Sequence, residues 1–409
     1  MRNKEKGITL IALIITIIVM LILVGVVVTV VIQSNLLGTA KIAGDKYKTA
    51  YEDESNMSEV TINGEKYASI EDYLEGKVKL PEGAGKRFSE TKEYNDGTKT
   101  AWIPAGFTVS GINSETKVDD GLVIYDIPED EIENVKWDGT EKTKYNQFVW
   151  IPVEVNKATD TETSIASFYR SAWANNARTT ELNAEFTEPY TDSSGNDYDS
   201  STGIKSQIEN LTKSIYKYGG FYIGRYEAGS ETERTRESKT EVTPIGIKQD
   251  MYPYNWVKWG EKINSIGTVG SVALSNSLYN STKPNYGATS MLCTGACWDS
   301  MLDFIKDTKN VTNSIEWGNY RDADFEITRG SYAEFANNIL GSFTAVEGTY
   351  KKELYSVSKK YILLTTGASE RNSAKNIYDV AGNCFEWTTE SYSSMYRVIR
   401  GRPFLKRCF

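Results

Sequence analysis

Two carboxylates seven residues apart, Asp379 and Glu386, flank a glycine in the densest stretch of chemistry-bearing residues in the chain. That stretch is Asn376-Ile377-Tyr378-Asp379-Val380-Ala381-Gly382-Asn383-Cys384-Phe385-Glu386-Trp387. A tight turn at Gly382 lets the two side chains converge with nearby carbonyl oxygens, and hard oxygen donors of this kind suit calcium. The loop follows no EF-hand spacing, and the competing reading is a glycine turn with a buried Trp387 and two solvated acids. Glu390 lies outside the loop and is expected to take no part in it. Histidine is absent from all 409 residues. That removes Ser-His-Asp and Cys-His nucleophile pairs and every His-ligated zinc, iron or copper site. Cys293 and Cys297 form a C-x3-C pair, with Cys384 in the carboxylate loop and Cys408 near the end. Four cysteines allow two bridges in three ways. C-x3-C alone is too little for zinc, so buried thiols are the simpler reading.

The elements that must position this loop begin far from it. From Ile8 to Ile32 the chain runs 25 residues without a charge. At ~1.5 Å per residue a helix of that length spans the ~30 Å hydrocarbon core with some tilt. Arg2, Lys4 and Lys6 precede it and set the N-terminus inside, so the rest is expected outside as the product of a single membrane span. A net charge of −9 carries no basic footprint for nucleic acid, and 26 Tyr with 9 Trp suit contact surfaces.

Residues 33–80 read as a stalk helix followed by a small hairpin, Val60-Thr61-Ile62 turning at Asn63-Gly64 towards Tyr67. Pro81 to Gly85 is a linker, and residues 81–409 form the main domain. Within it, 155–218 has the composition of a polar surface insertion. Thr289 to Asp307 holds one clear amphipathic helix, with Trp298, Met301, Leu302 and Ile305 on one face. Few helices among many short strands predict an α+β domain.

Three groups of residues carry resemblances. The leader ending in Gly7, followed by Ile8-Thr9-Leu10-Ile11 and the apolar run, resembles a type IV prepilin N-terminus. That implies cleavage after Gly7 by a prepilin peptidase and methylation of Ile8. Ala12 stands where that family carries the Glu used in fibre assembly. The 376–387 segment resembles the G-N-x-W-E-W signature of the formylglycine-generating enzyme, or sulfatase-modifying factor, family, with Phe385 replacing the first Trp. Arg397-Val398-Ile399-Arg400-Gly401 fits its R-V-x-R-G strand, Phe221 to Glu227 an early strand, and Ala296 to Met301 a helix start. This resemblance covers roughly 145–401. It implies an irregular C-type-lectin-like fold and a structural calcium site on the Asp379 and Glu386 side chains and the Gly382 and Cys384 carbonyls.

The catalytic residues of that family carry over poorly. Its oxidases hold copper with two late cysteines, whereas Cys408 stands alone after Gly401; related iron enzymes need three histidines. The ending resembles a truncated domain. The expectation is a bacterial cell-surface, membrane-anchored display protein that binds an extracellular protein or glycan through Trp387, Tyr392, Tyr396 and Arg397. In this it is similar to the variable targets of diversity-generating retroelements. The alternatives are a metal oxidase of the resembled family and a minor pilin-like protein.

Overall fold

The computed structural model describes residues 60–62, 65–67, 78–181, 204–235, 242–259, 270–320, 323–336, 339–352, 361–393 and 396–401, with backbone alone for 60–67, 181, 336 and 391–397. The Ile8–Ile32 span, the Gly7 and Ile8 processing site and the stalk lie outside these residues. Among the described residues no helix is long and apolar enough to cross a membrane. The chain divides into two units at Lys79/Leu80. Of the first, the described part is the antiparallel hairpin of β1 (Val60–Ile62) and β2 (Glu65–Tyr67).

The second unit is mixed α+β with more strand than helix. It opens with the hairpin β3 (Lys92–Asn95) and β4 (Thr100–Ile103), then β5 (Thr108–Val109), β6 (Val123–Tyr125) and β7 (Gln147–Pro152). A second hairpin, β8 (Ser171–Ala174) and β9 (Ala177–Glu181), precedes helix α1 (Ile204–Tyr218) and strand β10 (Gly220–Gly224). Strands β5, β6, β7 and β10 form an antiparallel sheet in the order β10-β7-β6-β5.

This sheet is covered on both faces, so apart from Thr108 and Gln147 its strands are mainly apolar rather than alternating with polar residues. The two-residue period still sorts the side chains. Val123, Tyr125, Val149 and Ile151 enter one core, while Leu122, Ile124 and Trp150 enter the other. The first core is closed by the helix Gly295–Ile305, which contributes Cys297, Trp298, Met301 and Ile305, and by Ile377, Val380 and Ala381 of the carboxylate loop. That helix, α3, follows α2 (Ser271–Leu278), and the Thr294 hydroxyl caps it by accepting from the Cys297 amide at 3.0 Å.

The polar stretch 155–218 is more than a surface insertion, because it holds the β8–β9 hairpin and α1. Ile204, Ile208, Leu211 and Ile215 recur at helical spacing and pack into two apolar clusters. Past β11 (Gly229–Ser230) and β12 (Tyr252–Pro253), the C-terminal part is built from short strands. β13 (Phe325–Ile327) pairs with β17 (Tyr350–Lys352). β14 (Ser331–Ala336) pairs with β15 (Ile339–Leu340), β16 (Thr344–Ala345) and β18 (Tyr361–Leu364). β19 (Ser373–Ala374) and β20 (Ile377–Tyr378) join through Lys375 and Asn376, both left-handed, as a two-residue hairpin turn requires. The last pair is β21 (Glu386–Ser393) with β22 (Tyr396–Arg400).

Candidate functional site

The carboxylate loop lies between β20 and β21 and is fixed by its backbone. Gly382 sits at φ +88° against the Asn319 main chain, where a Cβ would stand 2.3 Å from the Asn319 carbonyl oxygen. Only glycine fits there. The Asn319 amide donates to the Ala381 carbonyl at 2.9 Å, and the Asn383 amide donates to the Asn319 carbonyl at 3.1 Å.

Asn383 is fully buried, and its side chain makes four hydrogen bonds. Its Oδ1 accepts from the Leu364 amide (2.9 Å) and Asn319 Nδ2 (3.0 Å), and its Nδ2 donates to Glu227 Oε2 (2.8 Å) and the Leu364 carbonyl (3.1 Å). The Cys384 amide donates to Glu227 Oε1 at 2.9 Å. Glu227 thus receives a donor on each oxygen from the Gly-Asn signature. Sequence reading quoted Glu227 only as the end of a strand motif, and no local spacing signals its partnership with Asn383.

Three carboxylates therefore share this region, and none of the three is a solvated acid. Burial pushes Glu227 up, with the neighbouring Asp379 charge acting the same way. Burial pushes Asp379 up to about 7, against the pull of the Gly367 and Glu227 amides and the Arg329 charge. Burial raises Glu386 as well, followed by the fields of Glu227 and Asp379. Asp379 Oδ2 accepts from the Gly367 amide at 2.7 Å, whereas Glu386 Oε2 is buried with no hydrogen-bond partner. A Cβ on Gly401, which has φ +68°, would stand 2.5 Å from that Oε2 and 3.5 Å from the Cys384 carbonyl oxygen. Both oxygens therefore border one spot.

An orphaned carboxylate oxygen beside a carbonyl oxygen is a donor set that fits a hard cation. Among the described residues no three Cys, Asp or Glu side chains converge on a single metal position. A cation here would rest on Glu386 and on main-chain oxygens, with Asp379 as a nearby charge. Compared with protein-family models, with curated proteins and with solved structures, the chain matches none.

Beyond the loop, β21 and β22 pair with irregularities between Trp387 and Ser391 and between Ser391 and Ser393. The register sets Trp387 opposite Ile399, Ser391 opposite Arg397 and Ser393 opposite Tyr396. Tyr392, Tyr396 and Arg397 thus share one end of the hairpin, while Trp387 stands at the other. The Trp387 indole donates to the Val257 carbonyl at 3.1 Å and packs with Ile204, Trp259, Val272 and Leu292. Its ring is committed to the support of the hairpin.

The hairpin is also rooted in a buried ion network absent from the sequence reading. Glu390, fully buried, accepts from Arg400 Nε (3.0 Å) and Nη2 (2.8 Å), from Thr388 Oγ1 (2.9 Å) and from Arg170 Nε. Arg170 also pairs with Asp299 of α3, which accepts from the Ser171 amide (2.7 Å) and Trp173 Nε1 (3.1 Å). Glu390 takes its partners in this network rather than among Asp379, Gly382, Cys384 and Glu386. Two largely buried arginines and two fully buried carboxylates tie β8, α3, β21 and β22 together. Cys293, Cys297 and Cys384 are thiols.

Proposed function

We propose that the chain is a membrane-anchored surface protein whose second unit is a non-catalytic binding module of C-type-lectin-like, sulfatase-modifying-factor-type fold. The observation that carries this reading is the bond between its two resembling motifs. Asn383 and Cys384 of the Gly-Asn signature hold both oxygens of Glu227, the last residue of the Phe221–Glu227 motif. Residues matched separately by sequence are partners in space, as a shared fold requires. The proposed recognition element is the β21–β22 hairpin, whose Tyr392, Tyr396 and Arg397 are residue types enriched at binding hot spots.

The non-catalytic part rests on composition, since the sequence holds no histidine. Surface display rests on the charge-free Ile8–Ile32 segment behind Arg2, Lys4 and Lys6. In this proposal calcium is a structural ion that neutralises the Glu386 region and holds the root of the hairpin. Protease shaving of intact cells tests the topology: release of the domain is expected, and protection of the domain in cells with accessible surface markers sinks it. Incubation of the full chain with copper or iron and thiol peptides tests the rest, with turnover as the adverse result.

A further inference from the structure

Cys293 and Cys297 bracket the start of α3, four residues apart. Thr294, between them, caps the helix. Its hydroxyl accepts from the Cys297 amide at 3.0 Å, and its carbonyl accepts from the Trp298 amide at 3.0 Å. The Cys293 thiol donates to that same carbonyl at 3.4 Å. One oxygen therefore holds the Cys293 sulfur beside the peptide that joins Cys297 to Trp298, since the residue before a cap folds back on the first turn. Both cysteines pack into the first core, whereas Cys384 packs in a separate cluster around Leu363.

The two thiols differ in access. Cys293 is partly exposed, and Cys297 is 5% exposed. A partly exposed sulfur next to a buried one is the arrangement of an attacking and a resolving thiol. A helix N-terminus favours anionic groups, and thiol–disulfide exchange proceeds through the thiolate. The same segment holds the hairpin root. The Thr389 amide of β21 donates to the Cys293 carbonyl at 3.0 Å. At Gly295, between the two cysteines, an added Cβ would stand 2.2 Å from Arg170 Cδ and 2.3 Å from Glu390 Cδ. Whatever restrains Cys293 therefore restrains an anchor of β21.

We infer that Cys293 and Cys297 are a thiol–disulfide pair whose closure stiffens the root of the β21–β22 hairpin. The Cys293 thiolate attacks an external small-molecule disulfide such as oxidised glutathione, forming a mixed disulfide and releasing one thiol. The Cys297 thiolate then attacks the Cys293 sulfur and releases the second. The external disulfide gains two electrons, the two protein protons end on the released thiols, and one S–S bond replaces another. Closing so short a loop removes little chain entropy, so the effect is local. The pair goes beyond the binding-module reading and depends on surface display only for an oxidising environment, which protease shaving tests separately.

The test equilibrates the full chain, reduced beforehand and held in detergent, with glutathione buffers from fully reduced to fully oxidised. Acid quenching, N-ethylmaleimide and trypsin follow, and the peptide ending at Lys306 carries both cysteines. In oxidised buffer that peptide should be two hydrogens lighter and take up no label, and dithiothreitol should reverse the change. Cys297→Ser should instead hold one glutathione on Cys293, while Cys293→Ser should leave the buried Cys297 unmodified. Hydrogen exchange at the Thr389 amide should slow severalfold on closure, with Val123–Tyr125 unchanged. Two labels or two glutathiones on the peptide of the unmodified chain in oxidised buffer would show that the fold keeps the sulfurs apart, and the inference is overturned. A bridge from either residue to Cys384 or Cys408 overturns it too. Closure with an unchanged Thr389 amide overturns the coupling to the hairpin.

Discussion

Asn383 holds Glu227. The amide donates to Glu227 Oε2 at 2.8 Å while its own oxygen accepts from the Leu364 amide and Asn319, so one fully buried side chain joins the signature loop, β18 and the last residue of the early strand motif. Every hydrogen-bonding position of the Asn383 amide is used, and no other residue of its size supplies two donors and a two-fold acceptor.

Replacing Asn383 by Leu should therefore destabilise the second unit by about 3 kcal/mol or more, because it strips one donor from a buried carboxylate and leaves the Leu364 amide unpaired. Chemical denaturation of the full chain, followed by tryptophan fluorescence, measures the shift. A loss below about 1 kcal/mol would show that the network is dispensable.

The Glu386 region should respond to calcium. Binding only the folded state, the ion stabilises by mass action, on the order of 3 kcal/mol at a hundredfold excess over its dissociation constant. Glu386→Gln should remove most of the response. Gly401→Ala should reduce it too, since the added methyl would press on Glu386 Oε2 at 2.5 Å. Glu390 is no suitable control, being paired with two arginines; the exposed Glu347 is. A melting temperature indifferent to calcium and chelator counts against the cation.

Acid and neutral pH should act in opposite directions on two buried groups. Glu115 is pulled down to about 2 against its burial, chiefly by the Arg225 guanidinium at 2.8 Å, with Lys142 at 3.1 Å adding to it. Its contribution is present above the unfolded value near 4.5 and is lost as pH falls through about 2, a change of about 3 kcal/mol. Asp379 is the reverse. With its carboxyl pushed up to about 7, its contribution is complete below about 3.8 and is lost as pH rises through 7, unless a cation or Arg329 holds the charge. In chelator, stability should thus fall between pH 5 and 7.5, and calcium should flatten that slope. Melting curves across pH 2–8, with Glu115→Gln and Asp379→Asn as comparisons, check both signs.

Removing one partner from the hairpin's ion network should cost more than a surface pair. Arg170→Met leaves Asp299 and Glu390 buried with fewer donors, a change that typically costs about 3–5 kcal/mol. Hydrogen exchange should then speed up across Thr388–Glu390 and Val398–Arg400 before it does so in β6 and β7. Uniform exchange throughout the unit would mean that the network does not anchor the hairpin locally.

The sequence by itself determined the α+β class, an amphipathic helix within Thr289–Asp307, which the structure forms at Gly295–Ile305, and a strand within Phe221–Glu227, whose first part lies in β10, because these follow from hydrophobic periodicity over a few neighbouring residues. It also marked the turn at Gly382, whose positive φ only glycine meets without strain beside Asn319. Helix α1 was equally legible in the spacing of Ile204, Ile208, Leu211 and Ile215, but its polar remainder masked it. Tertiary structure alone decided which charges are buried and who neutralises them. Glu227 meets Asn383, Glu115 meets Arg225, and Glu390 meets Arg170 across more than a hundred residues of chain. A carboxylate's partner is set by the low-dielectric space into which the fold carries it, and that depends on distances between elements that no local pattern encodes.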